Sequence, residues 1–268
     1  MFRSLLLLPA SPAASSTAQV INCISLCLSL QEDYSYLTQH IDVTIHAAAQ
    51  VNLIFPYDAL VSANVRGTSH VLSFCQTGKM KALHYVSTDA VFPVGPVSGT
   101  PGAAQPRGWR ESEELQGLSE DLKGGYAQSK WVAEQIVRQS LNNGLPGCIY
   151  RCGNIGGDSH SSAWNAKDSN LAIMRACVLA NAVPVVDGVP LHFEMTPADF
   201  VARFIVQCVE DIRSCSRRTF HLMQPEPLSF PKFLRAAQAA GYDSMRAVAT
   251  TPLPPFVLSG HAASLTPY

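Results

Sequence analysis

The residues best suited to chemistry lie in Gly125-Tyr126-Ala-Gln-Ser-Lys130, where a phenol and an ammonium stand four positions apart. On a helix that spacing puts both on one face, a single turn from each other. An ammonium beside a phenol favours phenolate, so the pairing is expected to lower the Tyr126 pKa toward the range of proton transfer. A second group, Ser87-Thr88-Asp89, follows an apolar run that reads as a strand. Hydroxyls at the carboxyl end of a parallel strand sit where open α/β sheets bind ligands. Thr88 can hydrogen-bond a carbonyl oxygen, Tyr126 can donate a proton to it, and Lys130 can bind a ribose hydroxyl and tune Tyr126. Each feature alone has an ordinary alternative: a solvated helix pair in the first case, a strand-end turn capped by Asp89 in the second. Together they describe a site that hands a proton to a carbonyl oxygen.

Such a site needs parallel strands and flanking helices. Val43-Thr-Ile-His-Ala-Ala-Ala and Ala82-Leu-His-Tyr-Val-Ser are short apolar runs with little alternation, as expected of strands covered on both faces. Between them Leu60 to Cys75 has mostly helical apolar spacing, with Gly78 as its stop, which makes a right-handed crossover unit. Helix signals resume near Glu120 and run to Asn142, and Gly147-Cys-Ile-Tyr-Arg reads as a third strand. Leu171 to Ala180, Pro197 to Ile212 (with Thr196 as cap) and Phe230 to Ala240 read as helices, and Thr219-Phe-His-Leu as a strand. Val94 to Pro106 and the proline-rich stretch from Thr250 read as irregular. The alternation predicts an α/β fold with a parallel sheet.

Composition narrows the function. Lys plus Arg is 19 and Asp plus Glu 20, a formal net charge of −1, which argues against nucleic acid as a partner. With 47% apolar and 15% charged residues, the 268-residue chain is globular, one large domain or two small ones. No apolar run reaches the roughly 18 residues that span a bilayer, so no membrane partner is expected. Met1-Phe-Arg-Ser-Leu-Leu-Leu-Leu reads either as a weak secretory segment or as an irregular start. The eight cysteines lack metal-ligand spacing, so reduced thiols in a cytoplasmic protein, and no metal, are expected. His46, His84 and His221 read as satisfied core residues, and Arg138 and Arg151 as solvated or structural.

At this level of detail a resemblance becomes specific. His46-Ala-Ala-Ala-Gln-Val-Asn52, Asn64-Val-Arg-Gly-Thr68, Tyr85-Val-Ser-Thr-Asp-Ala-Val91, Gly125-Tyr-Ala-Gln-Ser-Lys-Trp-Val-Ala-Glu134 and Tyr150-Arg-Cys-Gly-Asn-Ile-Gly-Gly-Asp-Ser159 occur in one order. The set resembles the extended short-chain dehydrogenase/reductase superfamily, and within it the thioester reductase domains of non-ribosomal peptide synthetases, alpha-aminoadipate reductases and carboxylic acid reductases. The likeness runs from about Leu28 to Gly241. It implies a Rossmann-like parallel sheet with helices on both faces and a small C-terminal substrate-binding portion. The expected division is an irregular 1–27, a partial nucleotide-binding 28–158, a substrate-binding 159–249 and a tail at 250–268.

The resemblance places Thr88, Tyr126 and Lys130 on catalytic positions. It puts Ser87 beside the cofactor, Ala47, Ala48 and Ala49 under its adenosine half, Asn64 on the active-site backbone, and Gly153, Asn154 and Ile155 near the nicotinamide. It implies NADPH as cofactor and an acyl thioester on a phosphopantetheine carrier domain as substrate, reduced to aldehyde or further to alcohol. One element of the family is not found: no glycine precedes Gly67, so the Gly-rich strand–turn–helix that cradles pyrophosphate is absent. On that ground about two N-terminal βα units are expected to be missing and one sheet edge to be exposed. Two other readings therefore stand beside the reductase: a non-catalytic homologue, and a reductase or epimerase for nucleotide sugars.

Overall fold

The computed structural model describes the backbone of residues 4–8, 19–22, 31–93, 108–185 and 191–249, with side chains from residue 34 onward within those ranges. The expected loop from Val94 to Pro106 and the tail from Thr250 lie outside the described residues. Two short strands come first, β1 (Ser4–Leu8) and β2 (Gln19–Asn22), where an irregular segment was expected. α1 (Gln31–His40) leads into β3 (Val43–His46), which ends before the three alanines. A continuous rod follows, made of α2 (Tyr57–Leu60), a π-helical stretch (Val61–Arg66) and α3 (Gly67–Gln76). Its end follows from local sequence: Thr77 is extended, and Gly78 takes φ 65°, where a Cβ would meet the Thr38 carbonyl at 2.8 Å.

β4 (Ala82–Thr88), α4 (Gly125–Asn142) and β5 (Gly147–Cys152) complete the part that carries the candidate chemistry. α4 begins later than its apolar pattern predicted, because Ser119–Asp121 forms a separate 3₁₀ turn. β3, β4 and β5 are parallel, with His46 opposite Tyr85 and Thr88 opposite Cys152. Leu83, Tyr85 and Ile149 meet Val71, Leu72 and Phe74 of α3 and Ala133, Val137 and Leu141 of α4 in one core, joined by Tyr34 and Leu37 of α1. Burying each such side chain contributes about 1.5–3 kcal/mol, which outweighs the weak propensity of short strands.

The sheet order is β2-β1-β3-β4-β5-β8, where β8 is Thr219–Leu222. β1 runs antiparallel to β3, with Leu5 opposite His46 and Leu8 opposite Val43. The edge of the parallel strands expected to be bare is therefore paired, which satisfies the backbone groups an exposed edge would leave open.

The chain forms two compact units. The first runs to Cys152 and takes in Phe204–His221, and the second holds Gly153–Arg203 and the residues from Leu222 on. The first unit ends at Cys152 and resumes at Phe204, within α6 (Ala198–Glu210). The second unit contains α5 (Ser169–Leu179), β6 (Ala182–Val185) and β7 (His192–Phe193). α6 and α7 (Ile212–Cys215) come next in the chain. β9 (Leu228–Ser229), α8 (Phe230–Ala239) and β10 (Arg246–Ala249) return to the second unit. Its core gathers Cys177, Val183, Phe193, Phe230, Ala237 and Met245. Ser229 caps α8 as its type predicts, whereas the Thr196 hydroxyl, expected to cap α6, is buried without a partner among the described residues. In the first unit, Tyr150 packs edge-on against Phe204 of α6, on the opposite face of β5 from Ile149. No helix among the described residues is long and apolar enough to cross a membrane.

Candidate active site

α4 carries two adjoining stripes. Ala133, Val137 and Leu141 are the apolar one, while Tyr126, Lys130 and Glu134, again four apart, run beside it and meet the end of β4. The Tyr126 phenol lies beside Thr88. Thr88 Oγ1 also donates to Asp89 Oδ1 at 3.0 Å and accepts from the Ala90 amide at 3.2 Å, so Thr88, not Asp89, caps the turn after β4. One turn along α4, Lys130 Nζ donates to Tyr85 Oη at 2.8 Å and to the Val86 carbonyl at 2.9 Å. Hydroxyl, phenol and ammonium thus converge on the last four residues of β4.

Their electrostatics differ from the sequence expectation. Burial pushes the Tyr126 phenol up to about 12, against which the neighbouring Thr88 hydroxyl acts in the other direction. The ammonium faces Tyr85 rather than pulling the Tyr126 proton off, and burial brings Lys130 itself down to about 8. Tyr126 is therefore a neutral acid at physiological pH, the form a proton donor needs.

Asn64 lies in the π-helical stretch and is buried. Its Oδ1 accepts from the Gln50 amide at 2.6 Å, and its Nδ2 donates to the Gln50 carbonyl at 3.1 Å and to Ser129 Oγ at 2.9 Å. One side chain thereby ties the loop after β3 to α4, one residue before Lys130. Local π geometry of this kind recurs at functional sites. Ala47, Ala48 and Ala49 follow β3 directly as exposed, buried and half-buried positions.

The Ser87 hydroxyl donates to Glu134 Oε2 at 2.6 Å. Glu134 is fully buried and pairs with Arg151, equally buried, at 2.7 Å, while Arg138 adds a contact at 3.2 Å. Arg151, Arg138 and Ser87 hold the Glu134 carboxyl below the usual carboxylate range, against its burial. Arg151 is thus structural, as its type and place predicted.

Gly153, Asn154 and Ile155 belong to the second unit. The Asn154 amide donates to Glu194 Oε2 at 2.6 Å, Ile155 bridges Thr196, and a Cβ on Gly153 would collide with the Glu194 carboxylate. The loop is stitched to residues 194–196 within its own unit. Sequence reasoning passed over Tyr85, Glu134 and Glu194 as participants. Glu134 alone had a local signal, one further turn along the Tyr126–Lys130 face.

A family described as male sterility protein, an NAD-binding family, matches residues 24–205, which contain Asn64, Thr88, Tyr126 and Lys130. The chain belongs to that family. Among curated relatives, glycine betaine reductase ATRR of Emericella nidulans is 35% identical over 211 residues, 78% of this chain and 16% of that protein. The large subunit of L-2-aminoadipate reductase of Eremothecium gossypii is 35% identical over 210 residues, 77% of this chain and 15% of its own length. The terminal R domain from the myxalamid PKS-NRPS biosynthetic pathway superposes with a TM-score of 0.72 at 33% identity, over 84% of this chain and 54% of that one. The chain spans less than a fifth of these curated relatives and about half of that solved domain. This member of the male sterility protein family has the extended short-chain dehydrogenase/reductase fold, and its homologues are reductase domains of peptide synthetases and aminoadipate reductases.

The family implies a nicotinamide nucleotide. The described residues fit its reactive end: Thr88, Tyr126 and Lys130 lie together at the carboxyl end of β4, and Lys130 has one N–H beyond the two that Tyr85 and Val86 take up. They do not form its pyrophosphate cradle. β1 runs antiparallel to β3, so its carboxyl end lies at the amino end of β3, away from the ligand-binding end.

Proposed function

We propose that this chain carries the reducing site for an acyl thioester held on a phosphopantetheine carrier, with NADPH as reductant and an aldehyde as product. The observation that carries this reading is Thr88 beside Tyr126 with Lys130 one turn away, in a chain homologous to aminoadipate reductases and peptide synthetase reductase domains. The reduced nicotinamide supplies hydride when bound. Thr88 and Tyr126 donate hydrogen bonds to the thioester oxygen as charge builds on it. The neutral Tyr126 phenol then gives its proton to that oxygen, and Lys130 orients ribose hydroxyls through its remaining N–H. Loss of the carrier thiol from the resulting hemithioacetal leaves the aldehyde.

NADPH oxidation with an acyl-pantetheine substrate tests this. Tyr126→Phe is expected to lower turnover by about 10²–10⁴-fold, the usual share of a general acid. Equal turnover by variant and wild type would overturn the assignment. A second reading, a non-catalytic homologue, is favoured by the antiparallel run of β1 beside β3, which leaves no pyrophosphate cradle there among the described residues. Calorimetric titration with NADPH separates the two, because tight binding by this chain excludes the inactive reading.

A further inference from the structure

We propose that Tyr85 is a positioning residue for Lys130, its buried hydroxyl holding the ammonium at the end of β4. The proposal rests on the role given to Lys130 above. The Tyr85 ring is 1% exposed, and Lys130 Nζ stands 2.8 Å from its hydroxyl and 4.3 Å from its ring centre. The same hydroxyl lies near Thr68. His46 Nε2 lies 3.1 Å from Thr68 Oγ1, which in turn donates to the Asn64 carbonyl at 2.6 Å. The far end of this chain of contacts is thus fixed in the π-helical stretch, whose Asn64 also grips Ser129, next to Lys130.

Other polar groups around Lys130 are differently engaged. Glu134 acts on it from α4, His46 from β3 and Cys152 from β5. Glu134 is taken up by Arg151, Arg138 and Ser87. Among the described residues, hydrogen bonds to the ammonium come from Tyr85 and the Val86 carbonyl. A buried cation losing one of two acceptors keeps its desolvation and loses a compensating contact, which disfavours the charged form. Removing the Tyr85 hydroxyl should therefore make Lys130 shed its proton at lower pH.

Tyr85→Phe keeps the ring and removes the acceptor. The test follows the ¹⁵Nζ signal of Lys130 against pH in the full chain, with Lys130→Met assigning the signal. Wild type should titrate near pH 8 and Tyr85→Phe at least one unit lower, with the alkaline limb of acyl-pantetheine reduction moving by the same amount. A purely structural role for Tyr85 would change stability and leave both midpoints in place. If Tyr85→Phe does not fold, 3-fluorotyrosine at position 85, a weaker acceptor of nearly the same shape, should give a smaller downward shift. An unmoved Lys130 midpoint in either folded variant overturns the proposal. A moved midpoint in a chain whose wild type turns nothing over upholds the Tyr85–Lys130 coupling and counts against the reductase reading alone.

Discussion

Glu134 and Arg151 place two full charges where no water reaches either side chain. Desolvation of such a pair nearly cancels its attraction, so its net contribution is small, but losing one partner strands the other. Glu134→Gln should lower stability by about 3–5 kcal/mol, read from urea denaturation at pH 7. Adding Arg151→Met to Glu134→Gln should recover part of that loss, since the stranded charge is gone; no recovery would count against this account. The pH dependence has a definite sign. Glu134 titrates lower in the folded chain than its ordinary 4.5, so its contribution is full above that value and disappears as pH falls through the folded one. The acid arm of stability should be shallower in Glu134→Gln. The residue types of Tyr126, Thr88 and Lys130 were legible in sequence because helical spacing and strand-end position are local properties. The direction of the Ser87 hydroxyl was not legible, because it depends on Glu134, 47 positions away.

At the level of elements, the placement of Tyr126 depends on how the first turn of α4 meets the segment before α2. A Cβ on Gly125 would collide with the backbone of Phe55, Pro56 and Tyr57. Neither side can yield by rotating a side chain, so Gly125→Ala must displace the turn that presents Tyr126. It should cost about 1–3 kcal/mol by overpacking and lower turnover along with it. Gly67→Ala is the internal control, with its nearest neighbour at 3.9 Å and helical backbone; it should stabilise by about 0.4–1 kcal/mol. Thermal denaturation of the two variants decides whether close approach, rather than glycine replacement as such, is the cause. Most helices and strands were readable from apolar periodicity. The π-helical stretch was not, since periodicity marks a helical face and not its hydrogen-bonding ladder.

For the whole molecule, the separate cores of the two units predict separate losses of order. Phe193 stacks on Phe230 at 4.4 Å and meets Phe233 edge-on at 5.4 Å, inside the second unit. Phe193→Ala should cost about 3–5 kcal/mol there, and hydrogen exchange should show protection lost in α5 and α8 while β4 and β5 keep theirs. Equal loss in both units would mean a single cooperative structure. By itself the sequence determined the α/β alternation, the family, and the Tyr126–Lys130 pair, because each is written in spacing over a few residues. Tertiary structure alone decided that β1 pairs antiparallel with β3, that the chain leaves the first unit at Gly153 and re-enters it at Phe204, and that Lys130 rests on Tyr85. Those outcomes join residues far apart in the chain, and they follow from which buried polar groups and open strand edges find partners once the chain has collapsed.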